Sequence, residues 1–292
     1  MTFGSRLALG TVQFGKPYGV ANQSGQISQA AIASILAYAC SAKINTLDTA
    51  IAYGESEQRL GDVGVTSWNV ITKLPALQES CNDMFGFVMH TVEGSLSRLK
   101  LNCLHGLLLH HPEQLLGVNG EQIYQAMVAL KEAGKINKIG LSVYGPEALE
   151  ALWPHYHFDL VQAPFNIFDR RLVTSGWLNR LKKANTEVHV RSIFLQGLLL
   201  MPKQTRPAIF NRWQPLWDAW ELWLNEQALT PLQACLNFAL ANADIDRVLV
   251  GIDNLEHLQE IMASPNTSFV LPPDNLVSEN LDLINPSRWN VL

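Results

Sequence analysis

Short apolar runs alternate with longer amphipathic stretches from one end of the 292-residue chain to the other. The runs Leu7–Gly10, Ile44–Asp48, Val70–Lys73, Leu104–His110, Ile136–Ser142, Leu160–Ala163, Glu187–Ser192 and Arg247–Gly251 predict strands. Several are apolar at consecutive positions, as strands covered on both faces must be. Helical spacing predicts helices over Gln29–Ala42, Ser56–Gly61, Met84–Leu99, Glu121–Ala133, Pro146–Leu152, Leu172–Lys183, Trp213–Gln227, Pro231–Ala241 and Leu255–Ala263. Ser28 and the pair Thr230-Pro231 supply helix starts, and Gly134 supplies a left-handed stop.

Strands joined by helical crossovers build either a closed barrel or an open doubly wound sheet. The polar residues Asp48, Lys73, His110, Ser142 and Gln162 all fall at the C-terminal ends of predicted strands, where βα loops converge in a barrel. An open dinucleotide-binding sheet would want GxGxxG after its first strand, and Leu9-Gly10-Thr11-Val12-Gln13-Phe14-Gly15 does not fit it. The expectation is a single-domain (β/α)8 (TIM) barrel over residues 1–292, with 264–292, rich in Pro and Asn, as an irregular tail.

Composition narrows the function classes. The chain is 48% hydrophobic and 16% charged, with a formal net charge of -5. It has no block of basic residues, which argues against nucleic acid or an anionic membrane as partner. No apolar run approaches the roughly 18 residues of a membrane span, and the first residues lack a secretory pattern, so a cytoplasmic location is expected. Cys40, Cys81, Cys103 and Cys235 form no CxxC pair and read as reduced, packing cysteines. The pair His110-His111 has no carboxylate or thiolate partners at ligand spacing, so no metal site is expected.

The segment Asp48-Thr49-Ala50-Ile51-Ala52-Tyr53-Gly54, Lys73 at the end of the third strand, and His110-His111-Pro112 at the end of the fourth resemble the aldo-keto reductase superfamily. The resemblance runs from about Leu7 to Ala263. It implies NAD(P)H-dependent reduction of an aldehyde or ketone, with Tyr53 as proton donor, Lys73 lowering the phenol's pKa, Asp48 pairing with Lys73, and His110 orienting the carbonyl. The chemistry suits those residue types. Hydride attack leaves charge on oxygen, a free phenol titrates near pH 10, and an adjacent ammonium favours phenolate. His110, which ends the apolar run, is preferred over His111, which begins the turn.

The same resemblance implies the cofactor residues. Ser142 and Gln162 would hold the nicotinamide carboxamide, with Val143 standing where relatives carry asparagine. Arg191 stands where many relatives stack an aromatic on the nicotinamide. Ser192, Phe194, Leu195, Gln196 and Gly197 would wrap the pyrophosphate. Gly251, His257 and Glu260 lie in the adenosine segment, where His257 is the only cationisable group. NADP(H) is favoured over NAD(H) as the family default. Gln13, Phe14 and Tyr144 are the candidate substrate residues, with Trp289 of the tail as a further wall. The stripe Trp213, Trp217 and Trp220 reads as a packed helix face. The departures at Val143 and Arg191 also fit a cofactor-binding regulatory barrel, as in potassium-channel β-subunits, and Lys73 could alternatively form a Schiff base in a barrel lyase.

Overall fold

A computed structural model describes residues 2–22, 24–78, 81–264 and 270–291. Eight parallel strands close in sequence order: β1 (Leu7–Gly10), β2 (Thr46–Asp48), β3 (Asn69–Leu74), β4 (Gly106–Leu109), β5 (Ile139–Ser142), β6 (Leu160–Pro164), β7 (Glu187–Arg191) and β8 (Arg247–Gly251). The final pairing of β1 with β8, which sets Gly10 beside Gly251, makes the sheet a (β/α)8 barrel.

Side chains alternate along a strand, so residues two apart share a face. Ile71, Leu108 and Leu160 form their own buried cluster inside the barrel, apart from the large core between strands and helices. Two residues further along the same strands stand Lys73, His110 and Gln162. The apolar plug and the strand period together therefore place these polar groups inside the barrel, at its C-terminal mouth. At the opposite end the interior is polar as well. There His189 is wholly buried with its Nε2 2.6 Å from Glu187, which also pairs with Lys138.

Most predicted elements stand within a few residues of their expected bounds. Thr230 caps its helix with a full capping box to Gln233, and Ser28 accepts from the Ala31 amide. Differences arise where backbone conformation overrides side-chain pattern. The expected helix Leu172–Lys183 is two helices, Arg171–Thr174 and Trp177–Lys183, because Gly176 is left-handed (φ 80°) and cannot continue the first. Ser192, also left-handed (φ 58°), leaves β7 instead of ending it. β4 begins at Gly106, and Leu104 keeps a single bridge to Ile136. Beyond Ser264, residues 265–269 and 292 of the expected tail lie outside the described residues. The rest is short helical turns anchored by the buried Leu276, Leu283 and Ile284.

Two glycines let the loops after β1 and β2 touch. A Cβ on Gly15 would stand 1.6 Å from the Tyr53 carbonyl oxygen, and Gly54 is left-handed with the Gly15 carbonyl 2.6 Å from where its Cβ would be. The buried Ser56 hydroxyl then ties both loops, lying 2.9 Å from Thr11 Oγ1 and 3.0 Å from Thr49 Oγ1. Gly15→Ala is expected to displace the backbone of Tyr53. Urea unfolding should show a loss of about 1–3 kcal/mol, the usual range for overpacking.

Candidate active site

Asp48 ends β2 and Lys73 lies near the end of β3, and the two meet in the barrel mouth. Lys73 Nζ donates to Asp48 Oδ2 at 2.6 Å and to the Thr49 carbonyl at 3.0 Å. Lys73 is 1% exposed and Asp48 3%. Burial pulls the Lys73 ammonium below its ordinary pKa, and Asp48 partly offsets that. The other carboxylate oxygen accepts from Gln162 Nε2 at 2.6 Å, and Gln162 in turn accepts from the Ser142 hydroxyl at 3.3 Å. A buried ion pair survives desolvation only with such additional hydrogen bonds.

Tyr53 and His110 stand edge to face, ring centroids 5.9 Å apart at 77°. The Lys73 nitrogen lies 5.1 Å from the Tyr53 ring centroid, so the cation and the phenol share one cavity. The sequence-based expectation that Lys73 lowers the Tyr53 pKa needs correction. Burial first, and then the Asp48 charge, hold the phenol above its ordinary range. The cation that acts in the opposite direction is Arg191, whereas the Lys73 charge is matched by Asp48. Tyr53 is a neutral phenol that holds its proton. His110 is pushed down to about 3, by burial first and then by Lys73 and Arg191. It is therefore neutral near pH 7.

A cleft of about 1360 Å³ opens over these groups. Tyr53, His110, Asp48, Ser142 and Gln162 line it, with Gln13 and Tyr144. Arg191, Ser192, Phe194, Gln196 and Gly197 also line it, as do Gly251, His257 and Glu260. Lys73 lies behind Asp48 rather than in the cleft wall. Its two hydrogen bonds go to Asp48 and to the Thr49 carbonyl, so the amine is committed to the ion pair.

Two expected residues fall elsewhere. Phe14 is wholly buried in the hydrophobic core and not a cleft wall, because the short helix Val12–Gly15 turns Gln13 and Phe14 to different sides. Leu195 is likewise a core residue; the left-handed backbone at Leu195, Gln196 and Gly197 sends its side chain inward. His111 points to Glu113, 3.1 Å away, and lies outside the cleft. Asn166 accepts from the amides of Phe168 and Asp169 and donates to the Ser192 carbonyl, bracing the turn after β6 against the loop after β7. Trp217 and Trp220 are packed in the core with Trp213 against them, whereas Trp289 reaches the cleft.

Sequence reading missed the strap after β1. Residues 16–22 cross the cleft, where Tyr18 accepts from Gln196 Nε2 at 2.8 Å and Asn22 donates to Asp253 at 2.7 Å. Gly197 keeps the strap close, since a Cβ there would lie 2.6 Å from that of Ala21. The only local signal was a polar stretch punctuated by Gly15, Pro17 and Gly19, which marks a loop without indicating its reach.

A closed parallel barrel with an ion pair, a phenol and an imidazole gathered at its C-terminal mouth defines a barrel of enzyme type. The model of the Aldo/keto reductase family matches residues 6–276, and the chain belongs to that family. Aldo-keto reductase YhdN of Bacillus subtilis (strain 168) is 29% identical over 143 residues, a stretch spanning 45% of this chain and 43% of that relative. Among solved structures, PA4992 of Pseudomonas aeruginosa, described as an aldo-keto reductase, superposes with a TM-score of 0.66 at 25% identity, over 89% of this chain and 88% of that one. The holo form of aldo-keto reductase AKR11C1 from Bacillus halodurans shares the fold at a TM-score of 0.70 and 19% identity, over 90% and 88%. No helix among the described residues is long and apolar enough to cross a membrane.

Proposed function

We propose that this chain reduces an aldehyde or ketone to an alcohol at the expense of NAD(P)H, with Tyr53 as proton donor. The observation that carries the reading is the shared cavity of Tyr53, His110 and the Lys73–Asp48 pair. The residues present fit a dinucleotide: one cleft takes in both Tyr53 and Glu260, the backbone at Ser192, Gln196 and Gly197 in its wall is left-handed, and Gly251 carries no side chain where Gln13 approaches. Ser142 and Gln162 would hold the nicotinamide end, Ser192, Gln196 and Gly197 the pyrophosphate, and His257 and Glu260 the adenosine. A reduced nicotinamide in this cleft would supply the hydride.

The chain's own groups supply the rest. As charge develops on the carbonyl oxygen, the Tyr53 hydroxyl donates its proton to it. The raised pKa does not forbid the step, because an alkoxide is a stronger base than a phenolate even so. The phenolate that remains lies near Arg191 and above Lys73, which hold it until it is reprotonated. His110, neutral, donates a hydrogen bond to the same oxygen and sets its orientation. Asp48, fixed by Gln162, keeps the ammonium beneath the phenol.

NADP(H), the family's usual cofactor, is the one this reading takes, and His257, 3.9 Å from Asp253, is the cationisable group among the described residues of the adenosine segment that could meet a 2′-phosphate. The expected result is carbonyl-dependent loss of NADPH absorbance across a panel of small aldehydes and ketones. Tight NADPH binding with no turnover on any of them would instead favour a regulatory barrel.

A further inference from the structure

The charge around the phenol is unbalanced. Lys73 is matched by Asp48 at 2.6 Å, but two further cations face the same space without a carboxylate. Arg191 takes part in no ion pair among the described residues. Its guanidinium is fixed by donating to the Val143 carbonyl at 2.9 Å and to Ser192 Oγ at 3.3 Å, with Cζ 4.8 Å from the Tyr144 ring centroid. Its Nε is buried without a partner. The Lys16 ammonium lies 5.7 Å from the Tyr53 ring centroid and, among the described residues, donates to the Ala52 carbonyl and to no carboxylate. Both cations bear on His110, whose proton affinity each lowers. Besides Asp48, the carboxylates lining the cleft among the described residues are Asp253, which accepts from Asn22 and lies 3.9 Å from His257, and Glu260.

A guanidinium held in place by neutral acceptors, with no carboxylate matched to it among the described residues, is a recognition element for a planar anion. Its hydrogen bond to Val143 and its stacking on Tyr144 hold it on the β5 side of the mouth, the end that contains Tyr53 and His110. We propose that the substrate is a carbonyl compound carrying its own carboxylate a few atoms from the carbonyl carbon (an oxo acid or a carboxylated aldehyde), with Arg191 taking that carboxylate and Lys16 adding attraction from the opposite rim. This inference rests on the reductase reading and adds its substrate class.

Steady-state kinetics with saturating NADPH test it, using two pairs: 4-carboxybenzaldehyde against methyl 4-formylbenzoate, and succinic semialdehyde against butanal. The charged member of each pair is expected to show a kcat/KM at least about tenfold higher, mainly through KM, with the advantage shrinking as salt rises. Arg191→Met should reduce the charged-to-neutral ratio by about tenfold or more, the loss of one charge-assisted hydrogen bond, and Lys16→Met by a few-fold. Preference for the neutral members overturns the proposal. So does an Arg191→Met enzyme that loses both members equally, since the arginine then serves only the cofactor, where NADPH binds more weakly, or only the phenolate, where it binds as before. If the wild-type protein reduces none of the four, the reductase reading has failed. Calorimetry on the NADPH complex then decides the anion site, where benzoate binding no tighter than benzamide rejects it.

Discussion

Tyr53→Phe should lower kcat by about 10²–10⁴-fold, the range contributed by a positioned general acid, while NADPH titrates as it does with the wild-type protein. The ring stays, so its edge-to-face contact with His110 and its place 5.1 Å above Lys73 are kept. What disappears is the hydroxyl proposed to pass a proton to the new alkoxide. The pH profile of the wild type adds a second check. His110 titrates at about 3 and stays neutral above it, so no histidine limb belongs in kcat/KM between pH 5 and 8. Tyr53 lies above its ordinary range, so the proton-donating form persists through neutral and mildly alkaline pH. A rate that falls steeply on crossing pH 7, or a Tyr53→Phe enzyme of undiminished kcat, would place the acid elsewhere.

The second large effect concerns the pair beneath the phenol. Lys73→Met leaves the Asp48 carboxylate 3% exposed with only Gln162 to bond it. Breaking a buried pair on one side costs about 3–5 kcal/mol, because a charge is stranded in a medium that cannot solvate it. Against a typical total stability of about 5–15 kcal/mol, that is a large fraction. Chemical unfolding should record it directly. The double variant Asp48→Asn/Lys73→Met removes both charges and is expected to recover most of the stability, while its turnover remains low for want of the ammonium under Tyr53. If the double variant recovered turnover together with stability, the pair would be structural and Tyr53 would act without it.

Much of this site was legible because its spacing is local. Asp48 and Tyr53 are five residues apart on a strand end and the turn that follows, and Lys73 and His110 close their own apolar runs. The strand period then puts Lys73 and His110 two residues beyond the interior plug positions Ile71 and Leu108, so the alternation of side chains already separates mouth from plug. Gln162 illustrates the limit of such reading. Its place at the end of β6 is visible in the pattern, but its amide is committed to Asp48 across the barrel, a partner 114 positions away.

The chain by itself determined the order of elements, the barrel class and, to within a residue, where each strand ends, because apolar period and capping chemistry act within a few residues. Closure of the barrel decided the rest. It chose Asp48 as the partner of Lys73 and left Arg191 and Lys16 without a carboxylate partner among the described residues. It also turned Phe14 into the core and Gln13 into the cleft, and drew the strap of residues 16–22 across to Gln196 and Asp253. Those outcomes depend on which distant groups share a low-dielectric space, and no period along the chain encodes that neighbourhood.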